Sequence, residues 1–250
     1  MFPYRDENPT VLVPLITVGI IVLNVLAWLL VQGAGFNELA MANSVCNLGL
    51  VPGELLGTAP PGTSVPLSRE LACVVDPEPS YLTLVTSMFM HGGWFHLLGN
   101  MLFLWVFGNN IEDAMGHGRF VVFYLICGLT AAAGQMMVDP DSAIPMVGAS
   151  GAISGVLGGY LLLYPRVRVH TFVFFGFYMT SIALPAYIML GYWMLLQLLG
   201  GLPALAGVDV GGGVAFWAHI GGFVGGLLLV RLFAKSENLE RRPVQVMHWR

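Results

Sequence analysis

Two residues in this chain have the types and surroundings for acyl-transfer chemistry. Ser150 sits in Gly148-Ala149-Ser150-Gly151, and His219 in Ala218-His219-Ile220-Gly221-Gly222. Each lies in a long apolar stretch, where a polar side chain is expensive to place and asks for a functional reason. A hydroxyl nucleophile and an imidazole base at matched depth could form such a pair. Close by in type are His96 and Asn100, four residues apart and so on one helix face, with His91 near the start of the same stretch. These three could stitch helices together through hydrogen bonds, or supply donors to a developing oxyanion. No Asp or Glu stands at a depth suited to orient His219, so the pair reads as a dyad, its imidazole held by packing or by another hydrogen bond. Zinc chemistry has no support: there is no His-Glu-x-x-His, and no carboxylate joins His91, His96 and His219. No cofactor is expected.

The elements that must hold these groups are membrane helices. Of 250 residues, 56% are hydrophobic and only 10% charged, against roughly a quarter charged in a soluble domain. The mean hydropathy is +0.77. Apolar runs fill 11–31, 84–107, 120–138, 144–164, 171–199 and 213–233, and a helix needs about 20 such residues to cross the hydrocarbon core. Six spans are predicted. The run 171–199 is too long for one untilted span and contains Gly176, Pro185 and Gly191. Its helix is therefore placed mostly after Pro185, with the phenylalanine-rich 172–178 as a lead-in near the inner interface.

Charge placement orients the spans. With the N-terminus in the cytoplasm, every Lys and Arg except Arg69 falls in a cytoplasmic segment or at its helix ends. The predicted arrangement is N-in and C-in, with 1–10 a short cytoplasmic N-terminus, 11–234 the membrane domain and 235–250 a short cytoplasmic tail carrying Trp249. The first run is longer than a signal-peptide core, and Arg5 is offset by Asp6 and Glu7, so it is read as a retained helix. The net charge of -4 says little about partners, and nothing in the chain resembles a basic nucleic-acid surface.

A long outer loop, about 32–82, joins the first two spans and is rich in Pro and Gly, a length that usually covers something or stays mobile. Cys46 and Cys73 both lie in it and either close a disulfide on an oxidising face or remain free thiols. Cys127, inside the third span, reads as a small buried hydrophobe. The connection 109–118 joins the second and third spans inside, and 139–145 delivers the chain to Gly148 outside. The last span is entered from outside after Asp209 and Gly211-Gly212-Gly213. Ser150, His219, His96 and Asn100 thus all come within a few turns of the outer surface, where water can enter.

Gly151, Gly155 and Gly159 repeat every four residues, as do Ala218, Gly222 and Gly226. Such stripes let helix backbones approach closely in lipid, and close approach is what brings an imidazole to a hydroxyl at about 3 Å. Taken together, His91…His96-Leu97-Leu98-Gly99-Asn100, Gly148-Ala149-Ser150-Gly151 and Ala218-His219-Ile220-Gly221-Gly222 resemble the motifs of the rhomboid intramembrane serine proteases of bacterial type. The resemblance runs from the first apolar span to the last. It implies an all-α, six-helix membrane bundle in which Ser150 is the nucleophile and His219 the general base, later the acid. His96, Asn100 and the Ser150 backbone N–H would form the oxyanion hole, with His91 a structural or pore-side histidine and Gly148, Gly151, Ser154 and Gly222 in support. The fifth helix would be a gate, with Trp193 a candidate gate residue. The implied partners are single-span or polytopic membrane-protein substrates and the lipid bilayer. The implied location is the bacterial inner (plasma) membrane, with the site open to the extracytoplasmic side. Two positions depart from the family pattern: Ser154 stands where many members stack a Tyr on the imidazole, and Leu82-Thr83 where a Trp-Arg pair is common. Tyr160 or an aromatic of the fifth helix are the candidates to hold His219 instead. The alternative reading is an inactive protein of the same fold that binds or chaperones transmembrane helices. Oligomeric state is open.

Overall fold

The computed structural model describes residues 2–175, 178–206 and 214–240. Strand β1 (Phe2–Asp6) precedes helix α1 (Leu15–Leu26), which continues through a π-helical turn at Ala27–Val31. The long excursion holds α2 (Glu38–Leu48), α3 (Pro52–Leu56), β2 (Ser64–Pro66), β3 (Ala72–Val74) and α4 (Thr83–Thr86). After it come α5 (Trp94–Phe103), a π-helical turn (Leu104–Gly108), α6 (Asn109–Met115), α7 (His117–Val138) and α8 (Ser150–Leu163). Strands β4 (Arg168–Phe175) and β5 (Tyr178–Pro185) lead to α9 (Ala186–Leu205), α10 (Phe216–Phe233) and α11 (Ser236–Glu240). Among the described residues, α7, α9 and α10 are long and apolar enough to cross a membrane, and Leu15–Val31 and Ser150–Leu163 are shorter apolar helices. Asp209, Gly211, Gly212 and Gly213, read as the lead-in to α10, lie outside the described residues, as do Gly176, Arg241, Arg242, Trp249 and Arg250.

Three features differ from the sequence-based expectations. The second span was expected to begin near residue 84, yet α5 starts only at Trp94, after the break at Gly92-Gly93. The connection 109–118 is largely helical, because α6 carries on from α5 and the chain turns at Gly116, whose φ of 79° suits glycine. Finally, the bundle is mostly helical, in line with the all-α expectation, but carries in addition a small antiparallel sheet in the order β1-β4-β5. There Arg168 faces Pro185, and Phe2 faces Phe172. The 172–178 segment is thus part of a hairpin. Val169, Thr171 and Val173 are buried on one side of β4, while Tyr4 stacks on Phe172 at 4.4 Å on the other.

Buried acids lock the end of the bundle remote from Ser150. Glu112 accepts the α1 first-turn N–H groups of Ile16 at 2.9 Å and Thr17 at 2.8 Å, the Thr17 hydroxyl at 2.7 Å, and His117 Nδ1 at 2.6 Å. Asp113 accepts the N–H groups of Val11 and Leu12. The Ile16 and Thr17 N–H groups, in the first turn of α1, have no intrahelical acceptors and stand at the positive end of the helix dipole, so Glu112 from another helix caps them. At the same end, Tyr160 and Asn110 both donate to Asp6, at 2.6 and 2.7 Å. Glu112→Ala would orphan the Ile16 and Thr17 N–H groups and the Thr17 hydroxyl. The expected result is a loss of about 3 kcal/mol of stability, read as an earlier unfolding midpoint in an SDS titration. An unchanged midpoint would show that the cap contributes nothing.

The opposite end is covered by the excursion. Cys46 and Cys73 form a disulfide, which ties α2 to β3 and decides the question left open by the sequence. Leu50 pairs with Met146, and the Gly53 N–H reaches the Ser142 carbonyl at 2.8 Å, so the excursion lies directly on the loop that delivers Gly148.

Candidate active site

Ser150 is the first residue of α8. Its backbone N–H and those of the next residues belong to a helix first turn, with no intrahelical acceptor. The approach to it is fixed at Gly148, whose N–H donates to the Ser87 carbonyl at 2.9 Å and whose φ is 126°. A side chain there would be strained, and a Cβ would stand 2.7 Å from His96 Nε2 and 3.5 Å from Ser150 Oγ. The bare α-carbon of Gly148 is therefore where the His96 imidazole and the Ser150 hydroxyl converge.

Helix α10 lies between α7 and α8, with a glycine face toward each. Toward α8, a Cβ on Gly222 would strike the Gly151 carbonyl, and one on Gly226 the Gly155 carbonyl. Toward α7, a Cβ on Gly221 would stand 2.7 Å from the Thr130 carbonyl and 3.0 Å from the Gly134 α-carbon. With no side chains between them the backbones touch, and His219, in the first turn of α10, brings Nε2 to 2.8 Å from Ser150 Oγ.

The other side of the imidazole meets α9. His219 Nδ1 is 2.7 Å from Gln197 Oε1, and the Trp193 ring leans on the imidazole with centroids 5.8 Å apart and planes at 39°. Of the two candidates to hold His219, the structure thus supplies the helix aromatic. Tyr160 is spent on Asp6 at the far end of α8, ten residues or about 15 Å from Ser150. Ser154 does not reach the imidazole either: its hydroxyl donates back to the Ser150 carbonyl at 2.6 Å. Gln197 was missed from the sequence. A lone neutral amide in an apolar helix carries little signal, although its place four residues after Trp193 puts both on one face.

On α5, His96 Nδ1 accepts the Gly92 N–H at 3.3 Å. In a neutral imidazole that leaves Nε2 carrying the proton, directed toward Gly148 and Ser150. Asn100 is buried, and its Nδ2 has no acceptor among the described residues, which leaves a donor unused by the fold. His91 is fully buried, its ring edge against His96 with centroids 5.1 Å apart. Its backbone is clamped by Gln32, which donates to its carbonyl and accepts its N–H, both at 2.8 Å. A cavity of about 40 Å³ adjoins Ser150, walled by Met88, Gly128, Ala131 and Gly148.

Comparison with known proteins gives this geometry a context. The chain is 34% identical to the rhomboid protease GluP of Bacillus subtilis over 57% of its own length and 24% of that protein's. It is 30% identical to the mitochondrial rhomboid protein 1 of Saccharomyces cerevisiae over 43% of its length and 32% of that protein's. With the RHOMBOID-like protein 5 of Arabidopsis thaliana it shares 33% identity over 40% of its length. The aligned part spans no more than a third of each of these relatives, 33% in the largest case. A rhomboid domain family model matches residues 78–236, which takes in every helix from α4 to α10. The chain is a multi-pass, membrane-embedded, mostly helical protein. Over more than half of its length it carries the rhomboid domain, and it belongs to the rhomboid family.

Proposed function

We propose that this protein is an intramembrane serine endopeptidase that hydrolyses peptide bonds in or near transmembrane segments through Ser150 and His219. The observation that carries the reading is the 2.8 Å approach of Ser150 Oγ to His219 Nε2, with His96 Nε2 facing the Gly148 α-carbon and Asn100 Nδ2 buried without an acceptor among the described residues. His219 takes the hydroxyl proton as Ser150 attacks the carbonyl carbon of the scissile bond. The carbonyl oxygen gains the negative charge, and His96, Asn100 and the Ser150 N–H at the positive end of α8 are the groups available to stabilise it. The protonated imidazole then delivers its proton to the leaving amine. Water, deprotonated by the same imidazole, hydrolyses the acyl-enzyme and restores Ser150.

The finer topology belongs to the same proposal: six spans, N-in and C-in, in a bacterial inner membrane, the site opening to the extracytoplasmic side. Arg5, Arg119, Arg166, Arg168 and Arg231 gather at the end of the bundle that carries the sheet and Glu112, while Arg69 sits in the disulfide-bonded excursion at the other end. That separation supports it. Membrane-protein substrates are the proposed partners, and the reading of 11–234 as the membrane domain goes with them.

The test is a panel of tagged single-span model substrates incubated with the purified protein in liposomes, with Ser150→Ala alongside. Cleavage that disappears in Ser150→Ala is expected. Mapped sites should carry a small residue before the scissile bond, since Met88, Ala131 and Gly148 crowd the cavity beside Ser150. Cleavage that persists in Ser150→Ala would sink the reading. So would failure both to cleave and to label Ser150 with a fluorophosphonate, which would leave a helix-binding protein of the same fold. Efficient cleavage after bulky aromatics would contradict the assigned cavity.

A further inference from the structure

We infer that Gln197 of α9 is the positioning residue that fixes the tautomer and tilt of the His219 imidazole, completing a Ser150–His219–Gln197 relay with a neutral amide where a triad would use a carboxylate. The inference rests on the hydrolase reading of Ser150 and His219. Its first step is the orientation of the amide. Gln197 Nε2 donates to the Trp193 carbonyl one turn earlier, at 3.2 Å, so Oε1 is the atom turned to the imidazole. An amide oxygen can only accept. The group facing it at 2.7 Å, His219 Nδ1, therefore carries the hydrogen. A neutral imidazole with its proton on Nδ1 has a free lone pair on Nε2, and Nε2 is the atom 2.8 Å from Ser150 Oγ. The base is thereby left in the one neutral form that can accept the serine proton. Three hydrogen bonds in series, from the α9 backbone to the serine hydroxyl, each set the next.

The contact is buried and held. Gln197 is 8% exposed, and no carboxylate on any described element lies within hydrogen-bonding distance of His219. One turn beyond Gln197, Trp217 Nε1 donates to the Gly201 carbonyl at 2.9 Å, and a Cβ on Gly200 would strike the Phe216 ring. This clasp pins the C-terminal half of α9 to the start of α10, the helix that carries His219. The outer face of α9 is exposed at Tyr187, Tyr192, Leu195 and Leu199, while Ala186, Met189 and Leu190 bury its inner face. The Trp193 ring covers the imidazole from the same helix, so orientation and shielding of the base both come from α9. A partner that only positions its base gives a smaller effect than a reacting group, because its loss leaves a mixture of tautomers and not the wrong one.

The experiment compares Gln197→Met, close in shape but without an acceptor, with Gln197→Glu, which keeps one. Both are made in the full chain and assayed on a single-span model substrate in liposomes. Gln197→Met is expected to lower kcat about 30-fold, and to slow fluorophosphonate labelling of Ser150 in proportion. KM should stay within about twofold, because substrate contacts are untouched. Gln197→Glu should recover most of the rate, since a carboxyl group can accept from Nδ1–H in either protonation state. Nitrogen-15 NMR of His219 reads the hold directly. A single Nδ1–H tautomer is expected in wild type and in Ser150→Ala, and a mixture in Gln197→Met. Wild-type kcat in Gln197→Met would overturn the inference, as would an unchanged tautomer in that variant, or an equal loss in Met and Glu variants. If the wild type neither cleaves nor labels, the hydrolase reading fails, and the tautomer comparison still decides whether Gln197 orients His219.

Discussion

Gly148→Ala is expected to lower turnover about a thousandfold while the protein still inserts and folds. Two effects act at this position. A φ of 126° is a conformation that L side chains avoid, so alanine forces the loop toward another geometry at a cost of about 1–3 kcal/mol. The larger effect is steric. The new methyl would stand 2.7 Å from His96 Nε2 and 2.8 Å from its Cε1, so the imidazole must leave the place from which it can donate to an oxyanion beside Ser150. Losing one oxyanion donor costs about a hundredfold to a thousandfold in other acyl-transfer enzymes, and Ser150, two residues on, moves with the loop. The fold should survive, because Gly148 lies outside the helices and the Gly148 N–H to Ser87 bond uses only backbone. The measurement is the initial cleavage rate beside the unfolding midpoint. A normal midpoint with a rate within about tenfold of wild type would show that His96 takes no part in the chemistry.

That expectation draws on residues legible in the sequence. Ser150, His219, His96 and Asn100 stood out because polar side chains in apolar runs are costly, and the glycine stripes at intervals of four pointed to close backbone approach. Those signals are local: each helix carries its own. What escaped reading is non-local. Nothing near Glu112 says that its carboxylate caps a helix begun nearly a hundred residues earlier, and nothing near Asp113 says that it holds the segment just before that helix. Strand β1 finds its partner β4 only in three dimensions, across most of the chain. The hairpin itself left a trace. Val167, Val169, Thr171 and Val173 alternate with Arg166, Arg168, His170 and Phe172, a period of two that a search for 20-residue apolar runs averages away. Gln197 escaped for a chemical reason. An orienting partner for a histidine is usually sought among acids, whereas in a membrane interior an uncharged acceptor avoids the cost of burying a carboxylate.

The glycine ladder leads to the second large effect. Gly222→Val is expected to reduce cleavage at least about a hundredfold and to lower the unfolding midpoint at the same time. Gly222 lies one turn from His219, and its α-carbon rests against the Gly151 carbonyl, the residue next to Ser150. Even a methyl has no room there, and the Ala131 side chain closes the other side at 3.3 Å from the added Cβ. A branched side chain must therefore push α8 and α10 apart at the level of the dyad. The Ser150–His219 contact at 2.8 Å has little slack, since hydrogen bonds of this kind fade beyond about 3.2 Å. A displacement of about 1 Å can cost a hundredfold in rate, and overpacking a close helix contact costs about 1–3 kcal/mol in stability. Gly222→Ala should fall between wild type and valine in both measurements. Gly19→Ala in α1, where nothing lies within 4 Å of the added carbon, should change neither. If Gly222→Val loses stability but its folded fraction cleaves at the wild-type rate, the ladder only assembles the bundle. If rate and stability fall together through the alanine and valine steps, the same backbone contact that packs the helices also sets the distance between nucleophile and base.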